Sequence, residues 1–263
     1  MRYVHLYFTC VKRSIISRLE YKTDTFISIF SFLISNVCSI LSIYFILNTI
    51  PSLESWTMAE IGFLYGFSML PVAIDHLFSD DLWMVAYHKV KAGEMDRYFL
   101  RPVPVLFQVI AETFQPEGFG EVIVGIIMLG ICGNLVNITW SFGLVLMLVI
   151  ASIFGALVIT SLKIITSSLA FIFKKSGPIL QIVYEFITYT RYPLNIFPKV
   201  IKFILTFIFP FALVIYFPIE ILLYGTYNPY LMSLVIIVTC ALFLFISILI
   251  WSLCIKKYES SGS

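Results

Sequence analysis

The chain has 263 residues, of which 60% are hydrophobic and only 12% are charged, and its mean hydropathy is +0.99. About a quarter of the residues of a soluble domain are charged, so this composition excludes an ordinary soluble domain and indicates a polytopic membrane protein in a lipid bilayer. The formal net charge of +2 is too small to suggest nucleic acid as a partner.

Residues 1–24 predict an amphipathic helix. Apolar side chains recur at spacings of three and four, and basic side chains lie elsewhere on the helical wheel. The apolar stripe comprises Val4, Phe8, Val11, Ile15 and Leu19, and the basic residues are Lys12, Arg13 and Arg18. Such a helix lies along the cytoplasmic interface of the membrane instead of crossing it. The alternative is a solvated leader, which the continuous stripe disfavours.

Residues 25–258 predict an all-α domain with six membrane-spanning helices, since an apolar run of about 20 residues can cross the hydrocarbon core as a helix. The six runs are residues 26–47, 58–78, 119–136, 144–173, 178–192 and 231–255. The fourth run is long for one simple crossing and contains Lys163.

A polar segment, residues 79–118, separates the second run from the third and is the longest polar connection of the chain. Its charged residues and prolines include Lys91, Glu94, Asp96, Arg97, Arg101, Pro102 and Pro104. The order of these residues predicts a compact, charged protrusion on the cytoplasmic face, which is the shape of a docking element for a soluble partner. The alternative is a solvated loop whose charges only satisfy the positive-inside rule.

Local signals divide the polar segment into short helices. Gly93 ends one element, and Glu94 and Asp96 suit the positively polarised start of the next. That helix ends before Pro102, because residues that precede a proline avoid the helical region. A second, amphipathic helix is expected at residues 105–114.

Residues 193–225 predict an external re-entrant pair of half-length helices. Prolines interrupt this apolar stretch at positions 193, 198, 210 and 218. Broken backbone at membrane depth survives only where protein or a water-filled cavity satisfies its freed polar groups. We therefore expect the break at Pro210 to separate two short helices.

The basic residues predict that both termini are cytoplasmic. Most of the seventeen lysines and arginines lie before the first run, in the polar segment, beside residue 174 or after the last run, and all of these places are then on one side. The exceptions are Arg191, Lys199 and Lys202, beside the re-entrant pair, and Lys163, within the fourth run. We expect a multi-pass protein of the plasma membrane, in a bacterial cell.

The chain lacks the motifs of nucleotide-binding and hydrolytic sites. It contains no G-x-x-x-x-G-K-[ST], H-E-x-x-H or G-x-S-x-G pattern. Its five cysteines are scattered without C-x-x-C spacing, so they predict neither a metal site nor a disulfide framework. We expect no catalytic residue and no cofactor in this chain, and ATP-driven work would require a separate ATPase.

Three stretches resemble the six-span permeases of the ABC-2 type transporter family, and one of them, "SSLAFIFKKSG", is similar to a later segment of the family. "GEMDRYFLRPVPVLFQ" is similar to the family pattern G-E-[LM]-D-x-x-L-L-R-P followed by a hydrophobic residue. "RYPLNIFPKVIKFILTFIFPFALVIYFPIEILLYG" is similar to the family's Y-P-x-x-[IF]-[FY]-P turn, which precedes a re-entrant pair. The resemblance keeps the order of the parts and covers most of the chain.

The resemblance implies a function and a set of partners. The chain would be the permease subunit of an ATP-driven exporter, and it would form half of the pathway with a second permease, identical or paralogous. Two separate ATPase subunits would bind ATP and Mg²⁺. The residues implied in coupling to those ATPases are Gly93, Glu94, Asp96, Arg97, Arg101 and Pro102.

The first run carries a stripe of small residues. Ser28, Ser31, Ser35, Cys38 and Ser42 follow one another at spacings of three and four. One interpretation makes Ser31, Ser35 and Ser42 part of a translocation wall between two subunits. The other is close helix packing, which is also expected at the G-x-x-x-G of the second run, Gly62 to Gly66.

Carboxylates in the apolar runs are costly and usually face a cavity or a partner. We expect Glu60, Asp75 and Glu121 to anchor helix ends at an interface. Glu185 lies midway along the fifth run and is predicted to face a cavity or an ion-pair partner. Glu220, in the re-entrant pair, is expected to pair with Arg191 or Lys202.

Two other function classes stay open. A secondary transporter or channel would need no ATPase and would use Glu185, Glu220 and Asp75 as an ion or proton relay. A membrane-embedded enzyme would use Asp75, His76 and His88, although this adjacent Asp-His pair has no evident third partner.

Overall fold

The computed structural model describes residues 2–20, 56–136 and 138–259, together with positions 23, 26–28, 30, 31, 34–38, 41 and 45. All regular elements with bounds in these ranges are helices, which confirms the all-α class. The predicted first run, residues 26–47, lies partly outside the described residues. Its described positions are helical.

The helices are numbered in chain order. They are α1 (Arg2–Glu20), α2 (Met58–Ser79), α3 (Asp81–Met84), α4 (Asp96–Phe99), α5 (Val105–Glu112), α6 (Gly118–Val136), α7 (Phe142–Ser168), α8 (Ala170–Phe173), α9 (Gly177–Tyr189), α10 (Lys199–Phe203), α11 (Phe217–Tyr224) and α12 (Pro229–Cys254). Single π-helical turns follow α3 and α10 and precede α11, at Val85–Lys89, Ile204–Ile208 and Ala212–Tyr216.

Four helical stretches among the described residues are long and apolar enough to cross a membrane. They are Met58–Ser79, Gly118–Val136, Phe142–Phe173 and Pro229–Lys257, and they confirm the second, third, fourth and sixth predicted runs. The predicted fifth run contains α9, which has 13 residues. At 1.5 Å per residue α9 is about 20 Å long. That is shorter than the hydrocarbon core of about 30 Å.

A bent pair of helical stretches follows α9. Lys199–Ile208 and Ala212–Tyr224 together are apolar enough to count as one membrane element, but they meet at an angle of 83°. The bend lies at Pro210, where the helical hydrogen bonds are interrupted. The predicted break and the two half-length helices are therefore present. Among the described residues, the candidate membrane elements number four, or five with this pair.

Close backbone contact joins the membrane helices. α2 packs against α6 and α7, and α12 packs along α7. A Cβ atom added to Gly62 would lie 2.6 Å from the Sγ of Cys132, and one added to Gly66 would lie 2.8 Å from the Cβ of Met128. Neither position has room for a side chain, so the packing interpretation of the G-x-x-x-G pattern is confirmed.

The amphipathic helix α1 lies against the polar segment. The Ser14 hydroxyl donates to the carbonyl of Phe114 at 3.3 Å and accepts from its amide at 3.1 Å. Elsewhere on α1 the side chains of Phe8 and Ile16 are 65% and 55% exposed. An exposed apolar face beside an anchored polar face is what a helix at a membrane interface requires.

Candidate functional site

The polar segment folds as a short chain of helices between the end of α2 and the start of α6. Gly93 adopts the left-handed backbone conformation, with φ of 71°, and this reverses the chain before α4. The helix predicted at residues 105–114 is α5, Val105–Glu112, and it begins directly after Pro104. The predicted pattern of short helices is confirmed.

A buried lysine ties these short helices together. Lys89 is 4% exposed and donates hydrogen bonds to Asp81 of α3, to the Tyr98 hydroxyl at 2.7 Å and to the Glu112 Oε2 at 2.8 Å. Its three partners belong to α3, α4 and α5. The buried ammonium bonds to all three elements at once, so it fixes their relative positions. Moving one element away would leave the Lys89 charge, or a carboxylate partner, incompletely paired.

Arginine and tyrosine complete the same group from the solvent side. Arg97 donates to the Glu112 Oε1 at 3.0 Å and lies over the ring of Tyr98 at 5.0 Å. The Tyr98 hydroxyl in turn donates to Glu112. We call Asp81, Lys89, Arg97, Tyr98 and Glu112 the Lys89 network.

The Lys89 network keeps its central groups charged. Burial alone would lower the pKa of Lys89, but the Asp81 charge and the hydrogen bonds to Asp81, Glu112 and Tyr98 outweigh it and raise that pKa. Burial alone would raise the pKa of Glu112, but the hydrogen bonds from Lys89 and Tyr98 lower it below its usual value. At neutral pH the ammonium and the carboxylate are therefore both ionised.

The outer edge of the polar segment is exposed. Asp96, Arg97, Arg101 and Pro102, all singled out by the sequence, lie there, while Gly93 and Glu94 are half-buried behind them. Sequence reasoning missed two apolar members of this edge: Phe99 is 46% exposed and Leu100 is 87% exposed. We call Asp96, Arg97 and residues 99–102 the rim.

The rim touches Tyr258, which lies just after the helical turn that follows α12. The hydroxyl of Tyr258 donates to the Asp96 Oδ1 at 2.9 Å, and its ring stacks on Phe99 with centroids 5.4 Å apart. Tyr258 also meets Phe171 edge to face, and Phe171 packs on Trp251 in α12. The rim is thus connected to the membrane helices both through the Lys89 network and through Tyr258.

A second lysine-centred group lies between the membrane helices. Lys163 of α7 is fully buried and donates to the Asp75 Oδ2 at 2.8 Å and to the Asp80 Oδ1 at 3.1 Å. Thr160 donates to the Asp75 Oδ1 at 2.6 Å, and Ser79 also bonds to Asp75. We call Asp75, Ser79, Asp80, Thr160 and Lys163 the Lys163 cluster. Asp75 is 3% exposed, so the expectation that it anchors a helix end at an interface is wrong.

The other two carboxylates that were expected to anchor helix ends, Glu60 and Glu121, lie at helix starts. Glu60 forms a capping box with Thr57 at the start of α2, which confirms its anchoring role. Glu121 lies in the first turn of α6 and its Oε2 is 3.1 Å from the Nδ1 of His76. A cavity of about 700 Å³ borders His76 and Thr113. It also borders Asp80 of the Lys163 cluster and Asp81 of the Lys89 network, so it lies between these two groups.

The predicted pathway residues do not form one group. Glu185 is exposed and accepts from Gln181 at 2.9 Å, and Glu220 accepts from Tyr216 at 3.2 Å. Glu220 therefore has a tyrosine partner where a basic residue was expected. Arg191 lies over the Tyr65 ring at 5.3 Å. Of the serine stripe, Ser31 and Ser35 are exposed in this chain, and Ser42 lies outside the described residues.

Comparison with known proteins adds one match. A family model described as "ABC-2 family transporter protein" matches residues 33–262, which is most of the chain. The matched range begins after α1 and contains the polar segment, the Lys163 cluster and the bent helix pair. No curated protein matches the chain.

Proposed function

The chain belongs to the ABC-2 transporter family, and on this premise we propose that it is the membrane-spanning permease subunit of an ATP-driven exporter. It forms half of the translocation pathway together with a second permease subunit, identical or paralogous. Two separate ATPase subunits, which bind ATP and Mg²⁺, attach to the polar segment. The observation that carries the proposal is an exposed rim mounted on the buried Lys89 network.

The proposal includes a topology. Six spans cross a bacterial plasma membrane, both termini are cytoplasmic and the bent pair enters from the external side. The distribution of lysine and arginine supports this orientation, since it places the polar segment and the end of α12 on the same side. The contact of Tyr258 with Asp96 agrees with it, because it joins these two regions directly.

The rim has the composition of a protein interface. Leu100 projects almost completely into solvent, next to Phe99 and between the charges of Asp96 and Arg101. A large apolar side chain that is fully exposed on a rigid base gains free energy when a partner covers it. Charged neighbours would then select the partner by complementarity. We assign the ATPase contact to this surface.

The two connections of the rim suggest how motion is transmitted. Through Lys89 and Asp81 the rim is tied to α3, which follows α2 directly, and through Tyr258 it is tied to the turn that follows α12. When the ATPases close on ATP, a displaced rim would move both helices as rigid bodies, which is a common way of switching a transport pathway.

The rival function, a secondary transporter or channel, has less support. A relay needs carboxylates that exchange protons or ions with one another. Asp75 is neutralised by Lys163, whereas Glu185 and Glu220 have Gln181 and Tyr216 as partners.

Co-purification of the ATPase tests the proposal. In the Leu100→Asp and Arg101→Glu variants, we expect the affinity for the ATPase to fall at least thirtyfold, or about 2 kcal/mol, because one change places a charge in an apolar contact and the other turns attraction into repulsion. Membrane yield should not change, since both side chains are exposed. The matched control is Lys256→Glu, an exposed lysine at the end of α12, outside the rim.

Normal recovery of the ATPase with both rim variants would contradict the proposal and would return the polar segment to a solvated loop. Equal losses in the rim variants and in Lys256→Glu would also contradict it, because the effect would then follow net charge instead of the rim.

A further inference from the structure

A second cavity lies on the cytoplasmic side, between α1 and the polar segment. Its volume is about 250 Å³. Leu6, Cys10 and Arg13 line it from α1. Arg101, Phe107 and Gln108 line it from the polar segment. The cavity is separate from the Lys163 cluster and from the outward-facing tip of the rim at Leu100.

Gln108, which lines this cavity, is held by its own hydrogen bonds. It is 8% exposed, and its Nε2 donates to the carbonyls of Tyr98 at 2.9 Å and Val103 at 2.7 Å. These two bonds fix the orientation of the amide, so the Oε1 faces the other way. The Oε1 is buried and accepts no hydrogen bond from the described residues. Because protein encloses this atom, the charged side chains of the lining decide what the cavity binds.

The charges around the cavity favour an anion. Arg13 and Arg101 are the two basic residues of its lining, and Glu112 is the only acidic residue among the lining residues that the structure describes. The Glu112 carboxylate is already paired with Lys89 and Arg97. The two guanidinium groups therefore remain to bind a phosphate, whose oxygens match the planar donors of arginine.

We propose that this cavity binds the head group of an anionic glycerophospholipid. Arg13 and Arg101 bind its phosphate. The cavity has the volume of about eight water molecules at ~30 Å³ each, so it holds a head group but not acyl chains. The chains extend beside α1, where Phe8 and Ile16 expose apolar surface.

The apolar part of the lining distinguishes a lipid from soluble phosphate. Leu6, Val103 and Phe107 form walls that suit the glycerol backbone of a lipid, whereas inorganic phosphate gains nothing from them. The lipid would also connect α1 to Tyr98 and Glu112, which line the same cavity and belong to the Lys89 network. This inference goes beyond the proposed docking of an ATPase. Arg101 belongs both to the rim and to the cavity lining, so the test uses Arg13 and Ala111, which line the cavity and lie outside the rim.

Native mass spectrometry of the purified chain with added lipid tests the inference. The wild type should bind phosphatidylglycerol at least tenfold more tightly than phosphatidylcholine, because the choline ammonium offsets the phosphate charge that Arg13 and Arg101 bind. Arg13→Gln should weaken phosphatidylglycerol at least tenfold, about 1.4 kcal/mol. The control Lys12→Gln removes the same charge from the same helix at a side chain that does not line the cavity, and it should change binding less than twofold.

A cavity-filling variant gives a second measurement, in case Arg13→Gln disturbs α1. Ala111→Phe places a ring in the cavity and should abolish the bound lipid while Arg13 is intact. Equal binding of the two lipids, equal losses in Arg13→Gln and Lys12→Gln, or full binding in Ala111→Phe would each overturn the proposal. Displacement of the lipid by millimolar glycerol phosphate would reassign the site to a soluble phosphate and overturn the lipid assignment.

Discussion

Lys89 and Lys163 are both buried lysines with acidic partners, but they connect different parts of the chain. Lys163 bonds to residues 88 and 83 positions away, so it joins α7 to the end of α2. Lys89 bonds to partners that are 8, 9 and 23 positions away, so it shapes one local segment. The Lys163 cluster holds distant helices together, whereas the Lys89 network gives one protruding element its form.

The Lys163 cluster and the Lys89 network also differ in their access to solvent. The Lys163 side chain is 0% exposed and that of Asp75 is 3% exposed. In the Lys89 network the side chains of Arg97 and Glu112 are 50% and 36% exposed. Water can replace a lost bond at the edge of the Lys89 network but not at the Lys163–Asp75 pair; Asp80, the third charge of the Lys163 cluster, is 23% exposed. The comparison indicates that a moving part can be held by charges near water, while the ion pair between the helices is enclosed.

The largest effect is expected from Lys163→Met. The change leaves Asp75 buried without its cation and should destabilise the protein by about 3–5 kcal/mol. Thermal unfolding in detergent, with the monodisperse yield, measures the loss. The double variant Lys163→Met/Asp75→Leu is the control: it removes both charges and should recover most of the stability, because a buried ion pair often equals apolar residues of similar volume. Equal losses in the single and double variants would mean that packing, and not charge pairing, explains the effect.

A smaller loss of stability, about 1.5–3 kcal/mol, is expected from Lys89→Met. Glu112 keeps Arg97 and its access to water, and Asp81, although buried, keeps the bond from Thr113 and borders the large cavity. Function should suffer more than stability. ATP hydrolysis should become uncoupled from transport while the ATPase still co-purifies, since the rim remains exposed but loses its tie to Asp81. The matched control is Lys91→Met, an exposed lysine two residues away. If Lys89→Met destabilises the protein as much as Lys163→Met does, the distinction between the two groups fails.

Two threonines provide the smallest and most direct comparison. Thr160 donates to Asp75 at 2.6 Å, and Thr113 donates to Asp81 at 3.1 Å beside the large cavity. Thr160→Val should cost about 1.5–3 kcal/mol, because the bond to a buried charge has no substitute. Thr113→Val should cost below about 1 kcal/mol, since cavity water can take its place. Thermal unfolding of the two variants side by side measures both losses of stability. A larger loss in Thr113→Val than in Thr160→Val would contradict the solvent-access argument.

Much of the fold could be predicted from the sequence because lipid imposes a strong and local constraint. A charge-free run of sufficient length forms a helix in a bilayer, and α12 lies where such a run lies; α6 carries only Glu121, in its first turn. The break at Pro210 followed from the chemistry of a single residue. The close approach at Gly62 and Gly66 followed from the spacing of two residues on one helical face.

The candidate site was predictable only in part. The charged residues of the rim stood out against an apolar background, and their exposure agrees with that signal. Leu100 did not stand out, because an apolar residue in a hydrophobic chain carries no sign of whether it is covered. Its exposure depends on how α4 is turned on the Lys89 network.

The sequence by itself determined that the chain lies in a lipid bilayer, that it is helical, where most of its membrane runs lie and where the polar segment lies. Each of these properties depends on composition or on neighbouring residues alone. Only the tertiary structure decided the pairing of Lys163 with Asp75 and the unsatisfied Gln108 Oε1. The fourth run shows Lys163 alone and the second run shows Glu60 and Asp75, and the rotation of the two helices decides which charges meet. Burial of a polar atom likewise depends on atoms brought from distant positions, which no local pattern records.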